Sequence, residues 1–259
     1  LLAGERGVGT LGGAQDQTAI LCSEPERLEL FRWAPVTYER SVPWPSEYAF
    51  VIGVSGVVAA KTGAAKERYN RTARTAHRLV DAWNLHGGAR AHTPARTLRE
   101  AFEAASHGPV TQMPSMLVDA ARAGADHEFT ANHLIARLEQ FFDETFVIVP
   151  HAADALASGD VPQFGSLVDR SQGGAERALE NQVAETIHLQ RYARELGAVA
   201  ASAFGAGFGG SVWAMVPTTE VDRFTKRWRE KYQRAHARSA QRAQFFETGP
   251  SVPAFEVVG

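Results

Sequence analysis

Cysteine is nearly missing. Cys22 is the only one in 259 residues, so no disulfide can form within the chain, which suits a reducing compartment and gives a cytoplasmic expectation. No apolar run approaches the length of a membrane span. No basic-then-apolar start reads as a signal peptide either, so a membrane partner is not expected. Charge of one sign is also lacking. Lys and Arg number 27 against 29 Asp and Glu, giving a net charge of -2, and the two signs are interspersed. That balance offers no footprint for nucleic acid. The 9 histidines are dispersed without His-Glu-x-x-His spacing, and the single cysteine excludes a cysteine-based zinc cluster. Neither a Gly-x-Ser-x-Gly nucleophile turn nor a phosphate-loop Gly-Lys-Ser/Thr arrangement occurs. Spacing alone does not exclude a Ser/His/Asp triad, but nothing recommends one. Repeats and low-complexity tracts are absent.

What is present is enough chain for one large domain or two small ones, at an ordinary 44% apolar content. The sequence is organised around Ser202–Ser211, where Gly205, Gly207, Gly209 and Gly210 crowd one short loop. Glycine admits positive φ and close approach of a backbone to a ligand. Successive N–H groups in such a loop can line an anion-binding concavity. The spacing at Gly205, Gly207 and Gly210 satisfies the dinucleotide pattern, but that turn must open a helix. Val212–Val216 reads as a buried strand instead. Two readings stay open: a tight connection between strands with no ligand, or a glycine wall beside a phosphate or sugar.

The remaining segments follow in order. Residues 4 to 17 open with a glycine-rich turn region, and Thr18–Cys22 continues as a short helix. Asp16 stands at that junction, as a helix cap or first-turn carboxylate. Leu28–Trp33 and Val36–Val42 alternate as half-buried strands, and Pro43 and Pro45 mark a boundary. Ala49–Val54 predicts a central strand. Lys61–Asn84 predicts a long helix, on which Tyr69 is either a core aromatic or a hydroxyl aimed at a ligand. Thr97–Ser106 and Ser115–Ala123 predict short helices. Phe129–Ala157 predicts a long helical stretch kinked or divided by Pro150. Two more helices are expected over Val161–Asn181, weakened by Gly173-Gly174, and Ala184–Leu196, stopped by Gly197. Val199–Phe204 leads into the glycine loop as a strand. Beyond the loop and its strand, Thr219 is a candidate cap for a helix running to about His236, with Val221, Phe224, Trp228 and Tyr232 on one face. Phe245–Thr248 and Ala254–Val258 predict short terminal strands.

Three stretches together resemble one family. Gly-Gly-Ala-Gln-Asp-Gln at 12 to 17 resembles the Gly-x-x-Asp-Gln segment of galactokinases and related sugar kinases of the GHMP superfamily. Lys61–Arg71, with Tyr69-Asn70, resembles the galactokinase helix that follows the strand. Phe204–Ser211 is similar to the third GHMP motif, Gly-x-Gly-Phe-Gly-Gly followed by a strand. Ala155–Ser171 and Asn181–Glu185 follow the galactokinase order, and the resemblance covers nearly the whole chain. It departs at Gln172, where galactokinases usually carry histidine, and at Thr186-Ile187, where they usually carry Leu-Asp. Those departures fit a divergent galactokinase or a kinase for another sugar.

The resemblance implies an α+β chain of the GHMP kinase fold. Residues 1–45 would end the N-terminal α/β domain and 46–259 would form the complete C-terminal α+β domain. The first and second family motifs would lie upstream of Leu1, so this chain alone is expected to be inactive. It further implies an ATP-dependent sugar 1-kinase, most simply a galactokinase, with Asp16 as catalytic base. Gly13 would make a backbone contact to the sugar and Tyr69 a hydroxyl contact. Gly205, Gly207, Gly209 and Gly210 would lie on the nucleotide-phosphate side. ATP and Mg2+ are the implied cofactors, with the metal's main ligands outside this chain. Implied partners are a small-molecule sugar and ATP, in a monomer or weak oligomer. The alternatives are a non-catalytic sugar sensor and a GHMP kinase for another sugar or a small alcohol such as mevalonate.

Overall fold

The computed structural model describes residues 15–33, 35–58, 63–87, 94–205 and 207–255. Gly13, Lys61 and Ala206 lie outside the described residues, as does 256–258 of the expected last strand.

The expected first helix is α1 (Gln15–Cys22). The two alternating segments form β1 (Arg27–Arg32) and β2 (Thr37–Pro43), an antiparallel pair with an irregularity between Leu30 and Phe31. The apolar run is β3 (Tyr48–Val54). The long helix α2 (Gly63–Ala82) ends in a π-helical turn at Trp83–Gly87. Next come α3 (Leu98–Ser106) and α4 (Ser115–Ala123). Thr97 caps α3 by accepting the Glu100 N–H at 3.2 Å, as a β-region N-cap threonine does.

The stretch expected over Phe129–Ala157 is α5 (Ala131–Phe142), a π-helical turn at Asp143–Ile148, and α6 (Val149–Ser158). The stretch is divided next to Pro150, as expected, but by a π-helical turn and not by a loop. Backbone dihedrals stay right-handed helical from Phe142 to Val149, and the Val149 N–H reaches back to the Glu144 carbonyl, five residues earlier. A proline in the second position lacks an N–H and crowds the preceding turn, and the widened turn accommodates both. α7 (Val161–Gly174) runs on through a second such turn, Ala175–Leu179, and stops at Glu180, which has φ +50°. Asn181, expected in that helix, therefore lies just past its end.

α8 (Ala184–Glu195) follows, and Gly197 closes it with φ +103°. The remaining elements are β4 (Ala200–Ala203), β5 (Ser211–Pro217), α9 (Val221–Ala235) and β6 (Gln244–Thr248). Thr219 does not cap α9. It sits inside a 3-10 turn, Thr218–Glu220, and no side chain caps that helix. Ala254 and Phe255 are not in a strand.

β3 to β6 form one four-stranded antiparallel sheet in the order β4-β5-β3-β6. Both faces are covered, which is why β3 and β5 read as nearly continuous apolar runs. Ala49, Val51, Ala214 and Val216 face Leu189 of α8 and Trp228 of α9. Ala200 and Met215 face the other way, toward Leu156 of α6 and Val168 of α7. Successive strand residues point to opposite faces, so the partition follows the pleat. Gly53 allows the closest approach: a Cβ there would lie 2.8 Å from Trp228 Cη2. Trp228 is wholly buried, and its indole N–H donates to the Leu189 carbonyl at 2.9 Å. Burying each such large side chain contributes about 1.5–3 kcal/mol. A second, all-helical core joins Leu79 and Trp83 to Phe102, Leu117, Leu134 and Leu138.

Candidate functional site

The glycine loop connects β4 to β5, which pair directly. Gly205, Gly207, Gly209 and Gly210 have φ of +77°, +79°, +131° and +84°, and Phe208 between them has +59°. Glycine adopts these values at little cost, whereas a bulky side chain in the left-handed region is an outlier costing about 1–3 kcal/mol. Such strain persists only where the surroundings enforce it. They do so here through backbone ties. The Phe208 N–H donates to the Asn181 carbonyl at 2.5 Å, and the Gly210 N–H to the Val57 carbonyl at 2.9 Å. The Ser55 N–H donates to the Gly210 carbonyl at 2.9 Å. The expected anion concavity is thus partly committed, since two of its N–H groups are taken by protein carbonyls.

The loop meets α2 through Arg68, whose guanidinium lies over the Phe208 ring, 5.6 Å from its centroid. Tyr69, the next residue of α2, is half-buried. It is thus neither a full core residue nor a free surface one. Asp16 is in the first turn of α1 and exposed, a position where a carboxylate complements the helix dipole. Among the described residues, α1 is tied to other parts of the chain by the Ala254 N–H, which donates to the Ile20 carbonyl at 2.7 Å. The structure therefore brings the Tyr69 helix to the glycine loop. No hydrogen bond or ion pair among the described residues joins Asp16 to either. Gly13 lies outside the described residues.

Sequence reasoning missed the groups that hold the loop. Asn181, Gln182 and Thr186 lie between α7 and the first turn of α8. Gln172 is buried on α7, and its side-chain oxygen accepts the Ser202 hydroxyl at 3.0 Å and the Ala203 N–H at 2.9 Å. The signal for Gln172 and Thr186 was their departure from the galactokinase pattern. Nothing local announces Asn181, because its carbonyl meets the loop through the tertiary fold.

A cleft of about 520 Å³ opens beside the two π-helical turns at Asp143–Ile148 and Ala175–Leu179, and neither Asp16, Tyr69 nor the loop glycines line it. Its Glu144 carboxyl is pushed above the usual range by burial, with the Asp143 charge adding and the Ser171 hydroxyl opposing. Behind it, burial pulls the Arg137 guanidinium down to about 10. Arg170 in the same cleft is neutralised by a two-pronged pair with Asp143. Among the described residues, no group of three or more His, Cys, Asp or Glu side chains could hold a metal ion. No helix of the described residues is long and apolar enough to cross a membrane.

Residues 152–234 match the family model for the GHMP kinases C terminal. That span takes in α7, α8, the glycine loop and most of α9. A galactokinase from Roseiflexus sp. (strain RS-1) is 25% identical over 234 residues, which is 90% of this chain and 53% of that protein. The crystal structure of Lactococcus lactis galactokinase complexed with galactose has a TM-score of 0.67 at 20% identity, over 98% of this chain and 58% of that one. The chain thus spans about half the length of the curated relative it matches. Its fold is the helix-rich α+β expected, similar to that of the galactokinase structure, and the match to the GHMP kinases C terminal is confined to residues 152–234.

Proposed function

We propose that this chain, galactokinase-like in sequence and GHMP kinase in fold, serves an ATP-dependent sugar 1-kinase, with galactose the first sugar to test. The observation that carries the reading is the enforced positive-φ loop beside the Tyr69 helix, within the segment that matches the GHMP kinases. In this reading the anomeric hydroxyl oxygen of the sugar attacks the γ-phosphorus of ATP. A new P–O bond forms as the bond to the ADP oxygen breaks. The hydroxyl proton passes to the Asp16 carboxylate, an exposed group on the first turn of α1. Tyr69 would orient the sugar through its hydroxyl and Gly13 through its backbone. The glycine loop would lie against the transferring phosphate, where positioning and charge stabilisation do most of the work. Magnesium would neutralise phosphate charge when bound. The described residues offer it no ready cluster of ligands, so no step here is assigned to it.

The test is a coupled ADP-release assay on the full-length protein with galactose, other hexoses and mevalonate. Turnover dependent on a hexose is the expected result. Turnover with mevalonate alone would reassign the substrate. Calorimetric binding of galactose without turnover would favour a sugar sensor.

A further inference from the structure

We propose that Gln172 and Thr186 are positioning residues that hold the glycine loop in its active geometry. This rests on the sugar-kinase reading. Both are polar, and they are 2% and 0% exposed respectively. A buried polar side chain is costly unless its hydrogen bonds are made, so what it bonds to shows what it is for.

Gln172 holds the start of the loop. Its side-chain oxygen accepts both the Ser202 hydroxyl and the Ala203 N–H, the last residues of β4. Its amide nitrogen donates to Glu176 Oε1 at 3.0 Å, which fixes the amide's orientation. Thr186 holds the tip through a relay. Its hydroxyl accepts the Val183 N–H at 3.2 Å, and its one proton lies between Gln182 Oε1 at 2.9 Å and the Val183 carbonyl at 3.0 Å. Gln182 then donates its amide to Asn181 Oδ1 at 2.9 Å. Asn181, held in this way, presents its carbonyl to the Phe208 N–H. A Cβ on Gly207 would lie 2.2 Å from that same carbonyl oxygen, so the fit between Asn181 and the loop is close.

The loop needs holding because five of its residues sit at positive φ, one of them the phenylalanine. With the 181–183 connection freed of its ties, Phe208 would return to negative φ and lose its contact with Arg68. The two positions that depart from the galactokinase pattern are therefore inward supports of the loop. In this reading they bear on phosphate-side geometry rather than on which sugar is chosen.

The test uses Thr186→Val, which keeps the shape and removes the hydroxyl, Thr186→Ser, which restores it, and Gln172→Met beside Gln172→His. Amide exchange by mass spectrometry on the full-length protein should rise about tenfold across 204–210 in Thr186→Val and Gln172→Met. The β5 amides should keep their protection. In the same variants kcat should fall roughly ten- to a hundredfold, by a larger factor than the sugar KM rises, because the loop is assigned to the phosphate side. Thr186→Ser should recover both. Gln172→His should recover part, since imidazole offers one acceptor where the amide oxygen takes two bonds. If Thr186→Val does not fold, Gln182→Met interrupts the same relay at a half-buried position. Parental exchange across the loop in both Thr186→Val and Gln172→Met would overturn the positioning role, whatever happens to kcat. Changed exchange with parental kcat would overturn its catalytic consequence. A parent with no hexose-dependent turnover would overturn the sugar-kinase reading, and with it the catalytic half of this proposal. The exchange result would then still decide the structural half.

Discussion

His188 and His236 share one hydrogen bond: Nδ1 of the first lies 2.8 Å from Nε2 of the second, with Tyr192 stacked on one ring and Tyr232 on the other. One nitrogen must donate and the other accept, so at least one ring is neutral. Burial lowers the His236 pKa, the nearby His188 lowers it further, and Glu185, 4.0 Å away, opposes. Lys231 lies over the Tyr192 ring, 4.8 Å from its centroid. His133, half-buried on α5, is lowered too, chiefly by burial.

These shifts give a signed pH dependence. An unfolded histidine takes up its proton near 6.5, whereas folded His236 resists it. The stability it contributes is present above that value and lost as pH falls through it toward the lower folded value. Denaturant midpoints measured from pH 8 to pH 5 should fall below about pH 6.5. The slope should be shallower, though not flat, in His236→Gln, because His133 remains. Equal slopes in parent and variant would remove His236 from the account.

Gly205 and Gly207 have nearly the same φ, +77° and +79°, but different surroundings. Nothing lies within 4 Å of a Cβ at Gly205, whereas one at Gly207 would meet the Asn181 carbonyl oxygen at 2.2 Å. Gly205→Ala should cost only the left-handed backbone strain, about 1–2 kcal/mol. Gly207→Ala adds a backbone clash and should cost more than about 3 kcal/mol, with a matching loss of turnover. Chemical denaturation of the two variants side by side checks this. Similar losses would mean that the loop shifts freely away from Asn181.

Asp16→Asn should lower the melting temperature only slightly, since Asp16 is exposed and a first-turn charge at the surface is worth about 0.3–1 kcal/mol. In the full-length protein it should lower kcat about 10²- to 10⁴-fold, the usual cost of losing a general base. Near-parental kcat with a normal melting temperature would return Asp16 to a purely helical role.

Gly53→Ala should destabilise the sheet by about 1–3 kcal/mol, because its methyl group would sit 2.8 Å from the Trp228 ring. Combining it with Trp228→Phe, which shortens the ring and removes the donor to Leu189, should cost less than the two single changes added together. A strictly additive double variant would show that the two positions do not press on each other.

The elements with strong period were legible in the sequence. Val221, Phe224, Trp228 and Tyr232 lie on the buried face of α9 as their spacing required, and β3 and β5 are the strands their apolar runs predicted. What could not be read was tertiary in origin. The backbone stays helical through Pro150 because a wide turn absorbs the missing N–H, and that turn has no local signature. Thr219 has the residue type of a cap but falls inside a 3-10 turn. The glycines at 205 to 210 were legible as a special loop. That a carbonyl from Asn181 holds it was not, since that contact depends on how α7 ends at Glu180.

The strand order has a consequence for synthesis. Tyr48–Val54 finds both its neighbours, Ser211–Pro217 and Gln244–Thr248, only far along the chain. The helical core from Leu79 to Leu138 is built from contacts much closer in sequence, and local contacts assemble first. On the ribosome, that helical unit can therefore form while β3 still waits with both edges unpaired and Val51 and Ile52 uncovered. Unpaired apolar strands at that stage are where aggregation starts. The most hazardous interval for this chain is the translation of the long stretch between β3 and β5, when its central strand has no partner.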